Sequence, residues 1–222
     1  MDHMEWANKN RKRIAREFIR KTNFTSKENP TGIFTAGLPG AGKTEFTVQL
    51  LKNISGKPLR IDMDEIAALI DGYKPELAHR FRGGAGVILG KIYDETIKNK
   101  IDFVFDGTFS HGRAIENLER ALHKGYQVKI YIIFQLPEVA WQFTKDRELL
   151  EHRAIDKDEF IQTYLKLEAN LRELCDRHKD VTISLIVKDG QNKEGRRVED
   201  AKDLFNELPD FLTGAQLQNG RR

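Results

Sequence analysis

Gly37-Leu38-Pro39-Gly40-Ala41-Gly42-Lys43-Thr44 satisfies G-x-x-x-x-G-K-[ST] at every fixed position. Its flanks agree with it. Thr31-Gly32-Ile33-Phe34-Thr35-Ala36 is a short apolar run that reads as a buried strand. From Glu45 onward, Phe46, Leu50 and Leu51 fall at helical spacing. Strand, glycine turn and helix is the order a polyphosphate site requires. The glycines let backbone N–H groups turn toward the phosphates, and the helix N-terminus adds partial positive charge. Lys43 would reach the β- and γ-phosphates, and the Thr44 hydroxyl would bind Mg²⁺.

Working outward, strands and helices alternate. Residues 4–21 form an amphipathic helix with Ile14, Phe18 and Ile19 on one side and Lys9, Arg11, Lys12, Arg13, Arg16, Arg20 and Lys21 in a basic cluster. A second strand, 59–61, runs into Asp62-Met63-Asp64-Glu65 and a short helix. Leu77, Phe81, Ile88, Ile92 and Thr96 predict a long helix over 77–99. Gly83, Gly84, Gly86 and Gly90 weaken that helix by up to ~1 kcal/mol each, which points to a break near 83–86 or to close approach by another group. Residues 101–105 form a third strand, ending in Asp106-Gly107-Thr108. A helix over 114–124 leads to the continuous apolar run 128–134, a central strand covered on both faces. Pro137 opens the next helix, which ends near residue 150. A helix over 158–177, a last strand at 181–187, a final helix at 198–212 and a flexible tail from 213 complete the reading.

This alternation predicts an α/β fold: a three-layer P-loop NTPase or kinase architecture with a mostly parallel central sheet. The 222 residues suit one domain over 1–212, with 1–29 as an N-terminal basic helix and loop, 145–157 as a lid and 213–222 as a tail. The net charge of +3 is too small to imply nucleic acid but suits anionic nucleotides. Cys175 is the single cysteine, which excludes an internal disulfide and fits a reducing compartment. No apolar run approaches the ~18 residues of a membrane span, and the polar, basic start lacks the apolar core of a secretory signal. A cytoplasmic location is expected.

Ligands of parallel sheets bind at the carboxyl ends of the strands. Three features converge there: 37–44, 62–65 and 106–108. A nucleotide loop alone does not say where the γ-phosphate goes. A small-molecule kinase needs a carboxylate to take the proton of an attacking hydroxyl, and lid cations over the moving phosphoryl group. Asp64, just past the second strand, suits the first role. Asp62 reads either as a helix cap or as an acid near the metal. Asp106 suits a water-mediated Mg²⁺ contact, an acceptor contact or a strand-end turn. Arg147 and Arg153 flank the stretch where a lid would lie, and arginine grips phosphoryl oxygens in two-pronged fashion. A base-reading Asn-Lys-x-Asp at the carboxyl end of a strand, as switch GTPases need, does not occur: Asn99-Lys100-Ile101-Asp102 lies at the start of the third strand.

At these residues the chain resembles the zeta toxins of bacterial toxin–antitoxin systems, P-loop kinases that phosphorylate UDP-N-acetylglucosamine. The likeness covers roughly residues 30–190. Gly37 to Thr44 is similar to the family's Gly-x-Pro-Gly-[Ser/Ala]-Gly-Lys-Thr loop. The resemblance implies that Asp64 is the catalytic base, that Lys43, Arg147 and Arg153 serve the moving phosphate, and that Asp106 and Thr108 contact the acceptor. Residues 187–190 resemble the segment near the adenine. Two positions depart from the pattern: Asp106 stands where the family has Glu, and Ser110 where it has Arg, Arg113 being the nearest arginine. The resemblance further implies ATP and Mg²⁺ as cofactors, a nucleotide-sugar acceptor and a small antitoxin partner that blocks the ATP site, with helix 4–21 as part of its contact. Another small-molecule or nucleotide acceptor (ADP-ribose-like, antibiotic or polynucleotide) fits the same parts, as does a non-catalytic module whose basic helix binds nucleic acid or protein.

Overall fold

The computed structural model describes residues 2–21, 25–151, 155–191, 193–201 and 203–208, apart from the side chains of 150 and 151. Their elements are α1 (His3–Arg20), β1 (Thr31–Ala36), α2 (Lys43–Asn53), β2 (Leu59–Asp62), α3 (Met63–Ala67), a 3₁₀ turn (Pro75–Leu77), α4 (Ala78–Lys98), β3 (Phe103–Asp106), α5 (Ala114–His123), β4 (Gln127–Phe134), α6 (Pro137–Glu151), α7 (Lys157–Arg177), β5 (Thr182–Lys188), β6 (Glu194–Val198) and α8 (Leu204–Glu207).

The sheet has six strands in the order β2-β3-β1-β4-β5-β6 among the described residues. All pairings are parallel except β5 with β6. The fold is three-layer α/β. Order reverses beside β1, the strand that feeds the glycine loop, and such a reversal opens a crevice at the strand ends. The central position of 128–134 follows from its composition: Val128, Ile130, Ile132, Ile133 and Phe134 are all buried in β4. Each such side chain contributes about 1.5–3 kcal/mol by leaving water. Phe34 packs edge-on against Phe103 at 5.4 Å between ring centroids, and Tyr93 does the same against Phe103 at 5.4 Å. These rings lock β1, β3 and α4 into one core beneath the site.

The glycine-rich helix is unbroken. α4 runs through Gly83, Gly84, Gly86 and Gly90, and α1 lies along it. A Cβ on Gly84 would sit 3.1 Å from the His3 carbonyl and 3.3 Å from the Ala7 Cβ, and one on Gly83 would sit 3.1 Å from the Met4 sulfur. Close approach by another helix therefore explains this pair. Gly86 and Gly90 face open space. α1 buries Ala7, Ile14, Ala15 and Ile19, while Lys9, Arg11, Lys12, Arg13, Arg16, Arg20 and Lys21 are exposed.

The chain's end differs from the expectation. Val198 closes a sixth, antiparallel strand, and among the described residues of 198–212 the helix spans Leu204–Glu207, residues 209–212 lying outside them. The Asp189 carboxylate accepts the amides of Gln191 and Lys193 and so turns β5 back into β6. Glu194-Gly195-Arg196-Arg197 pairs with β5 at a solvated sheet edge, where Arg196 reaches Glu207 and Arg197 lies over the Tyr131 ring. The expected tail at 213–222 lies outside the described residues.

Candidate active site

The loop at 37–44 occupies the end of β1. Gly37, Gly40 and Gly42 have φ of +148°, +78° and +82°. A Cβ on Gly37 would come 2.3 Å from the Ile133 carbonyl oxygen, and one on Gly40 would come 2.1 Å from that of Ala140. Neither oxygen can yield, because one belongs to β4 and the other to α6. The glycines are thus required twice, by conformation and by space.

Lys43 begins α2, and its ammonium donates to the Leu38 carbonyl at 2.7 Å. Removal from water pulls its pKa down to about 8. Asp106, Glu45 and Asp62 oppose that shift, while Arg147 adds to it. Thr44 is exposed at the first turn of α2. Lys43 therefore senses α6, β2 and β3 together, so one electrostatic environment joins the donor loop to the strand-end acids and to Arg147.

Arg147 reaches this environment by helical spacing. Ala140 and Thr144 of α6 line the loop at Gly40, and Ala140, Thr144 and Arg147 are i, i+4 and i+7 on one face. Arg153, the other expected lid cation, lies outside the described residues.

The second half of the site is built on β2 and β3, whose last residues, Asp62 and Asp106, are in register. Asp62 Oδ1 accepts the backbone amides of Asp64 and Glu65 at 2.8 and 3.0 Å and so caps α3. Its Oδ2 takes Arg60 Nη2 at 3.0 Å. The capping reading is realised, and Asp62 can meet a metal only alongside these bonds. Burial, first among several causes, pushes the Asp62 carboxyl above its usual range. Asp64 is exposed at the start of α3, within electrostatic reach of Asp62 and Glu65.

Asp106 is buried. Its Oδ1 shares the Thr35 hydroxyl proton, at 3.2 Å, with the Gly107 carbonyl at 3.1 Å, and its Oδ2 accepts Arg60 Nη2 at 2.7 Å and Nε at 3.1 Å. Thr35 Oγ1 in turn accepts the Gly107 amide at 2.9 Å. The following loop is tied to the donor loop, because the Gly37 amide donates to the Thr108 carbonyl at 3.2 Å. Thr108 and Ser110 hydroxyls lie 2.6 Å apart. Between them, Phe109 is buried with φ +59°, a strained state for a bulky side chain. Asn170 of α7 holds that turn by donating to the Phe109 carbonyl at 2.8 Å. Arg113 is turned onto Glu116 at 3.0 Å on the exposed start of α5.

Sequence reading missed Arg60, Thr35 and Asn170. Arg60 alternates with Asp62 on β2, a signal available in the sequence but indistinguishable there from an ordinary solvated arginine. It also missed Gln135, which is buried at the end of β4 and donates to the Asp189 carbonyl at 2.7 Å, fixing the loop after β5. A separate cavity of about 370 Å³ lies along α1, lined by Trp6, Arg13, Phe18 and Leu69, and shares no residue with this site. Among the described residues no helix is long and apolar enough to cross a membrane, and no cluster of three metal-binding side chains occurs.

No curated protein matches the sequence significantly. The fold is similar to a chain of the PezAT chromosomal toxin–antitoxin system of Streptococcus pneumoniae, with a TM-score of 0.69 over 97% of this chain and 92% of that one at 19% identity. It is also similar to a chain of the AvrRxo1-ORF1:AvrRxo1-ORF2 complex with ATP, with a TM-score of 0.56 over 89% of this chain and 64% of that one at 12% identity. A chain of the Pnkp1/Rnl/Hen1 RNA repair complex matches with a TM-score of 0.52 over 82% of this chain and 51% of that one at 14% identity. At such identities these likenesses speak for the fold alone. The zeta toxin family model matches residues 14–200, which include the glycine loop, both strand-end acids and Arg147, and the chain belongs to the zeta toxin family.

Proposed function

We propose that this protein is an ATP-dependent kinase that moves the γ-phosphate of ATP to a hydroxyl of a nucleotide-sugar, UDP-N-acetylglucosamine being the acceptor to try first. The observation that carries this reading is the glycine loop with Lys43 at the end of β1, tied through the Gly37 amide to the Thr108 carbonyl beside the in-register strand-end acids Asp62 and Asp106. The amides of 37–44 would hold the β- and γ-phosphates, which would draw Lys43 away from the Leu38 carbonyl. Asp64 would accept the proton of the acceptor hydroxyl as its oxygen bonds to the γ-phosphorus and the bond to the β–γ bridging oxygen breaks, leaving ADP. Arg147, with Arg153, would balance the charge on the transferring group. Thr108 would face the acceptor, and Asp106 would meet it only alongside its bonds to Arg60 and Thr35.

Mg²⁺ keeps most of its waters and takes few protein ligands beside substrate phosphates. The exposed Thr44 hydroxyl would hold the ion, and Asp62 would meet it through water. When bound, the ion would neutralise phosphate charge. A small antitoxin is expected as partner. The exposed basic face of α1 and the neighbouring cavity would form part of its contact.

The test is phosphate transfer from labelled ATP to UDP-N-acetylglucosamine, followed by mass spectrometry of the product. One added phosphoryl group, lost in Asp64→Asn, is the expected result. ATP hydrolysis indifferent to the sugar and to that substitution would refute the reading. A second reading, a kinase of another small-molecule or polynucleotide acceptor, is favoured by the bonding of Asp106 to Arg60 and Thr35 rather than outward. A panel of nucleotide, aminoglycoside and polynucleotide acceptors separates the two.

A further inference from the structure

Arg60 and Asp62 are two residues apart on β2, so both side chains leave the same face of the sheet. Asp62 is in register with Asp106 on the adjacent strand. Both carboxylates are largely removed from water, with side chains 14% and 4% exposed. Two such like charges side by side repel each other.

The Arg60 guanidinium lies across them. Nη2 is 2.7 Å from Asp106 Oδ2 and 3.0 Å from Asp62 Oδ2, Nε is 3.1 Å from Asp106 Oδ2, and Nη1 is 2.7 Å from Glu65 Oε1. The remaining oxygen of each strand acid leads away to other parts of the site. Asp106 Oδ1 takes the Thr35 hydroxyl. Asp62 Oδ1 takes the amides of Asp64 and Glu65. A continuous bonded path therefore runs from Thr35 on β1 through Asp106, Arg60 and Asp62 to the backbone of Asp64. A lysine at this place would offer one ammonium without the planar fork that meets two acids at once.

We propose that Arg60 is a positioning residue of the transfer site: it holds Asp62 and Asp106 together and, through Asp62, fixes the turn that carries Asp64. The importance of that turn rests on the kinase reading above. The geometry itself does not depend on which acceptor is used.

Arg60→Gln and Arg60→Lys are compared with the unaltered chain in two ways. The first is the amide ¹H–¹⁵N spectrum without acceptor. In Arg60→Gln the Asp64 and Glu65 amides should shift or broaden, while those of 37–44 stay in place. The second is turnover with Mg-ATP and UDP-N-acetylglucosamine. kcat should fall by about 100-fold, the loss a small misplacement of a reacting group produces, with KM for ATP within about twofold. Arg60→Lys should recover about tenfold of that loss, since it keeps one charge at the junction. Unmoved Asp64 and Glu65 amides in a folded Arg60→Gln would overturn the proposal. So would a joint fall of kcat and ATP affinity that tracks a lowered melting temperature with no recovery in Arg60→Lys. If Arg60→Gln does not fold, the same amide criterion is applied to Arg60→Lys. If the unaltered chain is silent toward UDP-N-acetylglucosamine, the nucleotide-sugar reading fails and the amide criterion still decides the role of Arg60.

Discussion

The two halves of the site solve opposite electrostatic problems. The donor half, 37–44, must receive an anion, and it is made of backbone: glycines at positive φ, a helix N-terminus and a half-buried ammonium held near pKa 8 by loss of water. The acceptor half must keep several acids close together, and it is made of side chains on adjacent strands, with Arg60 bonded to Asp62, Glu65 and Asp106. Backbone sites tolerate change in side chains but not in conformation. Side-chain sites tolerate small backbone shifts but not the loss of a charge. The halves should therefore fail differently when altered.

The sharpest contrast is expected between Asp64→Asn and Lys43→Met. A general base contributes about 10²–10⁴-fold, so Asp64→Asn should lower kcat by about 10³-fold while leaving ATP affinity intact. Lys43→Met should lower kcat by a comparable factor and weaken ATP binding as well. Single-turnover transfer combined with titration of a fluorescent ATP analogue resolves the two. Equal loss of ATP affinity in both variants would erase the distinction between donor and acceptor halves.

Gly40→Ala breaks the donor half through conformation alone. The new Cβ would meet the Ala140 carbonyl at 2.1 Å in a left-handed backbone state. The combined clash and strain should cost about 2–4 kcal/mol of stability and abolish nucleotide-induced stabilisation. Urea unfolding with and without ADP measures both. An alanine variant that still gained stability from ADP would mean that the loop relaxes away from α6.

The donor half was the more legible half in the sequence, for the reason just given. A loop that works through backbone geometry needs glycines at set places, so Gly37, Gly40, Gly42 and Lys43 announce it locally. Helical spacing also made α4, α5 and α7 readable. The acceptor half depends on which strands become neighbours. Nothing local in Leu59-Arg60-Ile61-Asp62 says that β3, forty-odd residues on, will place Asp106 opposite Asp62. In the sequence alone Arg60 is therefore indistinguishable from surface charge. β6 escaped for a related reason. Its residues are exposed and charged, and only its pairing with β5 makes it a strand.

Thr35→Val tests whether the acceptor half is braced from β1. The change conserves volume but removes the hydroxyl that donates to Asp106 and accepts from the Gly107 amide. Leaving that amide without a partner should cost about 1–3 kcal/mol. Turnover should fall further than ATP affinity, because the brace touches Asp106 and not the phosphate loop. Chemical denaturation and a KM-against-kcat comparison provide the check. Undiminished stability would show that the Gly107 amide finds another partner.

The mildest expected effect separates the halves by pH. In the free protein Lys43 loses its proton near pH 8. A bound polyphosphate favours the charged ammonium, so the complex keeps the proton to higher pH. Below about pH 8 both states are protonated and affinity should be flat. Above it, the free protein must take up a proton to bind, and affinity should fall by up to about tenfold per pH unit. ADP in the presence of EDTA isolates this effect from any metal, and calorimetry in two buffers of different ionisation enthalpy counts the proton taken up. In the acceptor half, burial first and neighbouring acids next displace the Asp62 and Glu65 carboxyls upward. An affinity independent of pH between 7.5 and 9.5 would mean that Lys43 does not respond to the bound phosphates. The junction that joins the donor loop to the strand-end acids would then not operate through its charge.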